Sequence, residues 1–151
     1  MIVIALHVLV AFAAIAFLVV PGWMLVVAAR SNDVAFIRRT FALGAFHGRM
    51  GGPLALLAGL LGFGAAAAAG VPLNAGWLVA SYVVYAAAMI VGIAYHMRWE
   101  IRVFRLAQAA PDGPASGELA ETVADPLGMP MLCLSGVLWI ALIYLMVAKP
   151  F

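Results

Sequence analysis

Three histidines are the side chains in this sequence best suited to bind a metal or a metal-containing cofactor. His7 lies near the start of a long apolar stretch, and His47 and His96 flank a second one. An ionisable side chain is costly inside a membrane, so such residues are functional candidates there by default. Imidazole nitrogens are common ligands of haem iron and of divalent metals. The positions of the three histidines lead to two separate hypotheses.

The first hypothesis makes His7 an axial ligand of a haem near the outer side of the membrane. Its neighbours Leu6, Val8 and Leu9 are aliphatic, so the local sequence offers no other reason for a histidine there. Counting helices at about 1.5 Å per residue places a few further candidates at the same depth. These are Tyr82, Tyr85 and Met146. The structural alternative is a histidine that only hydrogen-bonds a helix carbonyl or a tyrosine.

The second hypothesis pairs His47 with His96 at the inner side of the membrane. Each lies about 21 to 23 residues from the turn-forming segment 70–76, so two antiparallel helices would bring them to similar depth. The pair could bind haem or a divalent metal ion, and Glu100, one turn after His96, could act as a further ligand or orient one. The alternative is that both rings meet lipid headgroups and water, as interfacial side chains commonly do.

Sulfur atoms give a third candidate site. Met129, Met131 and Cys133 follow one another closely before the last apolar stretch. Thioether and thiolate ligands select Cu(I), which would make this segment a copper site. Methionine is also a common filler of irregular gaps in apolar packing, and that structural alternative stays open.

The amino-acid composition indicates which kind of secondary structure carries these candidate residues. Of 151 residues, 68% are hydrophobic and only 9% are charged, whereas a soluble domain is about a quarter charged. This excludes a soluble enzyme, a nucleic-acid-binding protein and a disulfide-stapled module. A membrane crossing needs about 20 apolar residues. We therefore predict an all-α integral membrane bundle, a single domain over 1–151, with four transmembrane helices at about 2–29, 50–69, 76–97 and 127–148.

The arginines predict the orientation of this bundle. The connectors 30–49 and 98–126 hold all the arginines, and only Lys149 lies on the other side. Positive residues accumulate on the cytoplasmic side of membrane proteins. Both connectors are therefore expected to be cytoplasmic and both termini outside (N-out/C-out), in a multi-pass protein of the bacterial inner membrane whose surroundings are the lipid bilayer.

The chain also resembles a known family. The segments that carry the resemblance are 5–9 (ALHVL), 52–60 (GPLALLAGL), 76–78 (GWL) and 145–150 (LMVAKP). They resemble bacterial predicted integral membrane proteins of the domain-of-unknown-function family 2269. That family is in turn similar to CopD-like copper-resistance proteins and to the HemJ type of protoporphyrinogen oxidase. The resemblance implies a four-helix bundle in which His7 is associated with b-type haem, and it leaves oxidase activity open.

These observations together favour a haem b-binding membrane protein with a redox or electron-transfer role, or an accessory subunit of a membrane redox complex. A homodimer or a larger membrane redox complex would fit this reading, and nucleic acid would not. The alternatives left open are a copper or small-solute transporter and a purely structural or assembly subunit.

Overall fold

The computed structural model describes residues 1–150, which are helical throughout apart from short turns and connections. In chain order the helices are α1 Ile2–Arg30, α2 Val34–Ala68, α3 Gly76–Val91, a π-helical turn Gly92–His96, α4 Met97–Ala109, α5 Gly117–Val123 and α6 Gly128–Ala148. The described residues form no strand, and their one isolated bridge joins Asp33 and Pro114. Four helical stretches are long and apolar enough to cross a membrane: α1, α2, α3 continuing into α4, and the stretch containing α6. The predicted all-α bundle is confirmed.

Helix α2 begins earlier than the sequence suggested. The Asp33 carboxylate accepts hydrogen bonds from the backbone N–H groups of Ala35 (2.9 Å) and Phe36 (3.2 Å), which caps the first turn. Satisfying free N–H groups in this way is what starts a helix at such a residue. The 30–49 connector is therefore mostly helix, and α2, at about 1.5 Å per residue, is longer than a bilayer core is thick. Its first turns must project from the membrane at the arginine-rich end of the bundle, the end that holds both arginine-bearing connectors.

A hydrophobic cluster closes the arginine-rich end. It joins α1, α2, α4 and α5, and its fully buried members include Ala28, Ile37, Val103 and Ala107. Helix α4 is amphipathic and turns its apolar side toward this cluster, which explains why the 98–126 connector folds back on the bundle. The cluster therefore fixes the position of α4, and with it the segment that carries His96.

Arg38 fastens the end of α4 to α2. Its guanidinium donates hydrogen bonds to the carbonyls of Ala107 (2.8 Å) and Ala110 (2.6 Å) and to the Asp112 carboxylate (2.8 Å). The last carbonyls of a helix have no partners within the helix, so a cation placed there both pairs with them and faces the negative end of the dipole.

We expect Arg38→Gln to lower the free energy of unfolding by about 1.5–3 kcal/mol, the range for hydrogen bonds made by a charged group. Asp112→Asn is the matched control. Asp112 is 73% exposed, so its loss should cost less than about 1 kcal/mol. Thermal unfolding in detergent measures both variants. A larger loss from Asp112→Asn than from Arg38→Gln would contradict the carbonyl-capping role.

Helices α1 and α2 pack closely along much of their length because small residues of α2 face α1. A Cβ added at Gly51 would lie 2.6 Å from Leu18 Cδ2, 2.7 Å from Leu18 Cγ and 3.2 Å from Phe17 Cβ. At Gly44 it would lie 2.7 Å from Leu25 Cδ2. Close approach through small residues is the usual basis of helix association in membranes. The contact extends to Gly62 and Gly64, which lie against His7 and Val3 of α1.

Gly51→Ala is expected to destabilise the bundle by about 1–3 kcal/mol, the usual cost of overpacking. Gly48→Ala is the control on the same helix, since a Cβ there meets nothing within 4 Å. That change should leave stability unaltered or raise it by up to about 1 kcal/mol through helix propensity. Melting temperatures in detergent separate the two variants. If both melt like the parent protein, the close packing of α1 on α2 is wrong.

Candidate functional site

A large cavity lies between two helix pairs, one formed by α1 and α2 and the other by α3 and α6. Its volume is about 890 Å³, which is within the range of about 300–1,000 Å³ for small-molecule and cofactor sites. We call it the histidine cavity, because both His47 and His96 line it. It occupies the half of the bundle nearer the arginine-rich end. The aromatic rings among its lining side chains are Phe17, Trp23, Phe41, Phe104 and Trp139.

His47 reaches the cavity from α2 with one ring nitrogen held by its own helix. Its Nδ1 lies 2.8 Å from the Leu43 carbonyl oxygen. A carbonyl only accepts hydrogen bonds, so Nδ1 carries the proton and Nε2 keeps its lone pair. The ring also packs against Phe17, with centroids 5.5 Å apart. A histidine whose second nitrogen donates to a carbonyl is the usual arrangement of a metal ligand.

His96 reaches the same cavity from the opposite helix pair, at the end of the π-helical turn Gly92–His96. Such turns are rare and occur frequently at functional sites. The extra residue in the turn shifts the side chains that follow around the helix. His96 Nε2 lies 2.8 Å from Ser135 Oγ on α6, and the ring meets Tyr95 edge-on at 5.4 Å. When the serine oxygen accepts the Nε2 proton, Nδ1 keeps its lone pair.

Two ionisable side chains, Glu100 and Arg49, also line the histidine cavity. Glu100 lies one turn after His96 and forms no ion pair with any residue in 1–150. Arg49, from α2, likewise has no carboxylate partner among these residues. The cavity therefore combines a mostly apolar interior with one unpaired arginine and one unpaired carboxyl group.

Within the described chain, the structure brings no cluster of His, Cys, Asp and Glu side chains to the predicted metal site, and the copper site with methionine ligands stays a prediction. Among residues 1–150 no three His, Cys, Asp or Glu side chains come together as they would around a metal ion. Cys133 lines the histidine cavity, but Met129 and Met131 do not. Residues two apart on a helix do not face each other, so α6 turns Met131 away from Met129 and Cys133, whereas Met129 and Cys133, four residues apart, lie on one face. The copper site stays a prediction.

His7 lies in the other half of the bundle and does not line the histidine cavity. Its Nδ1 is 3.0 Å from the Ala58 carbonyl oxygen of α2, and the ring fits against Gly62, where a Cβ would come within 3.3 Å of His7 Cε1. The carbonyl bond is the structural alternative foreseen for this residue. No other hydrogen bond of the ring is found among residues 1–150, so Nε2 stays available and the geometry is compatible with either role.

Both tyrosines predicted to accompany His7 contact residues 55–63 of α2, the stretch that also holds Ala58. Tyr85 donates its hydroxyl proton to the Ala55 carbonyl at 2.9 Å. Tyr82 stacks on Phe63 with ring centroids 5.1 Å apart, and its buried hydroxyl has no hydrogen-bond partner among residues 1–150. Met146 is half-buried on α6. No hydrogen bond in residues 1–150 joins His7 to either tyrosine, and a haem site at His7 stays a prediction.

Sequence reasoning missed the cavity itself, the π-helical turn and Ser135. The depth count did predict that His47 and His96 reach the same level. It could not predict the gap between helix pairs, because that gap depends on how the pairs diverge. Gly92 at the start of the π-helical turn was the only local signal, and a glycine inside a helix more often serves close packing.

Apolar helices around a histidine-lined interior cavity define a small polytopic membrane protein with room for a cofactor-sized group. The chain belongs to the DUF2269 family, described as a predicted integral membrane protein, whose family model matches residues 1–150. No curated protein and no solved structure matches the chain. The similarity to CopD-like and HemJ-type proteins stays a prediction.

Proposed function

We propose that this protein binds haem b in the histidine cavity, with His47 and His96 as the axial ligands. One observation carries the proposal: histidines from two different helix pairs line the same large, mostly apolar cavity. Burying an imidazole away from water is costly unless its nitrogens find partners. The Leu43 carbonyl and Ser135 each satisfy one nitrogen of these two histidines, and a ligated iron would occupy the other.

The other side chains that line the histidine cavity also suit haem b. The aromatic side chains from both helix pairs suit the faces and edges of a macrocycle. Arg49 is the one arginine that lines the cavity, and its fork of N–H donors suits a propionate carboxylate. The chain's part is to hold the group, to orient both imidazoles through their second nitrogens and to exclude water. Haem b, when bound, supplies one-electron redox chemistry.

Electron transfer is the role that this arrangement supports best, either in the protein alone or as an accessory subunit of a membrane redox complex in the bacterial inner membrane. If both His47 and His96 held the iron, no position would remain open for a substrate, and the group would supply electron transfer only. The unpaired charges at the arginine-rich end would face a redox partner at the membrane surface.

The test is the visible spectrum of purified protein titrated with haemin in detergent, oxidised and then reduced with dithionite. We expect saturation at one haem per chain and a six-coordinate low-spin spectrum that resists carbon monoxide. Saturation with a five-coordinate high-spin spectrum would remove the bis-histidine arrangement. A Soret band that stays at the position of free haemin in the same detergent throughout the titration would remove haem binding altogether.

A further inference from the structure

A second cavity, separate from the first and open to the surface, lies at the arginine-rich end of the bundle. Its volume is about 430 Å³, and it is bounded by the π-helical turn and α4 on one side and by α5 and the residues after it on the other. It shares no lining residue with the histidine cavity. The side chains that matter here are Tyr95, Arg98, Trp99, Arg102, Glu121 and Asp125. We call it the zwitterion cavity for the charges that line it.

Opposite charges line this cavity without neutralising one another. Arg98 and Arg102 come from α4, whereas Glu121 and Asp125 come from α5 and the residues just after it. The ion pairs within residues 1–150 are Arg38 with Asp112 and Arg102 with Glu118. The second of these is exposed and its acid lies outside the cavity lining. Arg98, Glu121 and Asp125 thus have no oppositely charged partner within 4.0 Å.

Hydrogen bonds between the two walls hold the cavity in shape. The Tyr95 hydroxyl donates to Asp125 Oδ2 at 3.0 Å, and Trp99 Nε1 donates to the Thr122 carbonyl at 3.0 Å. The Leu127 backbone N–H donates to Asp125 Oδ1 at 2.9 Å. The Asp125 carboxylate is therefore oriented before any ligand arrives, and preorganisation of this kind raises affinity by lowering the cost of ordering.

The depth of the cavity matches that of lipid headgroups. Tyr95 lies next to His96 at the end of the predicted span 76–97, and the half-buried Trp99 follows one turn later. Tyrosine and tryptophan are enriched at this level of a membrane, where one end of the side chain is apolar and the other wet. A ligand at this site would meet both the polar phase and the ends of the lipid chains.

We propose that the zwitterion cavity binds a phosphoethanolamine group, carried by phosphatidylethanolamine or present as the free ester. Arginines are the preferred partners of phosphate oxygens, which assigns the phosphate to Arg98 and Arg102. A primary ammonium has three N–H donors, which assigns it to Glu121 and Asp125. A choline group has no N–H to donate to these carboxylates, and an anionic headgroup would be repelled by them.

Native mass spectrometry of delipidated protein tests this binding. The probes are phosphatidylethanolamine, phosphatidylcholine and phosphatidylglycerol with identical acyl chains. We expect phosphatidylethanolamine to bind about tenfold more tightly than either of the others, as the loss of one charged hydrogen bond would predict. Arg98→Gln and Glu121→Gln should each remove this preference. Arg105→Gln, an exposed α4 residue outside the cavity, is the matched control and should keep it.

Each outcome decides the proposal. Equal binding of the ethanolamine and choline lipids, or an unchanged preference in Glu121→Gln, would overturn it. Tighter binding of phosphatidylglycerol would show a plain basic patch and would also overturn it. Competition by free phosphoethanolamine would support the recognition and assign it to the soluble ester, whereas failure to compete would assign it to the lipid. Arg98 and Glu121 are exposed, so both variants are expected to fold, and their melting temperatures are to be measured alongside. Should one variant unfold, the other decides.

Discussion

His96→Ala protein, titrated with haemin, is expected to give a five-coordinate high-spin spectrum that responds to carbon monoxide. His47→Ala should do the same, because each change leaves one imidazole on the iron and frees the opposite position. The double variant should lose the Soret band of the bound form, with affinity reduced by at least about 100-fold, more than the 10–100-fold typical of losing a residue that only orients a ligand. Optical titration with and without carbon monoxide measures all three proteins.

His7→Ala is the decisive comparison for this prediction. His7 lines no part of the histidine cavity, and its Nδ1 bonds the Ala58 carbonyl. The variant should therefore keep the low-spin spectrum and full stoichiometry while melting at a lower temperature. Loss of haem from His7→Ala alone, with both His47→Ala and His96→Ala unchanged, would transfer the ligand role to His7 and refute the site proposed here.

Cysteine labelling at Ser116 and Asn74 should mark opposite sides of the membrane. Both positions are exposed, Ser116 just before α5 and Asn74 in the turn between α2 and α3. The asymmetry of positive residues predicts that Ser116 is cytoplasmic and Asn74 outside. In a Cys133→Ala background, an impermeant reagent added to intact cells should label Ser116→Cys only after lysis and Asn74→Cys before it.

The topology experiment contains its own control. The Cys133→Ala protein without an introduced cysteine contains no thiol and should remain unlabelled. Labelling of both positions from the same side would be incompatible with the single crossing, α3 continuing into α4, that separates them. Reversed accessibility would place both termini inside.

Composition and charge predicted most of the fold. Long charge-free stretches fix where a helix must cross, and the segment 70–76 could only be a turn. The sequence did not reveal that α2 starts at Val34, although Asp33 is a typical capping residue. Arginines just before a span indicate where the membrane ends, and a helix is free to continue beyond that point. Membrane boundaries and helix boundaries are set by different physical effects. In this sequence only the signal for the membrane boundaries was strong.

The sequence predicted the depth of the two cavity histidines in the bundle, but not the direction in which their rings point. Counting residues brought His47 and His96 to one level, because helical rise is constant. Which way each ring turns depends on local geometry, and at His96 a single extra residue in the π-helical turn decides it. The carbonyl partner of His7 shows the same limit, since pairing with Ala58 depends on how closely Gly62 lets the helices approach.

The way the helices pair also determines the order in which the protein can be completed. Helices α1 and α2 are joined by a short turn and pack closely, so this hairpin can assemble while the rest of the chain is still being synthesised. Helix α6 is the last of the described helices to be made, yet it supplies Ser135 and Trp139 to the histidine cavity. The cavity thus has no fourth wall until α6 has been inserted. A cofactor that needs this enclosure would be retained only after that step, so its loading would follow the insertion of α6.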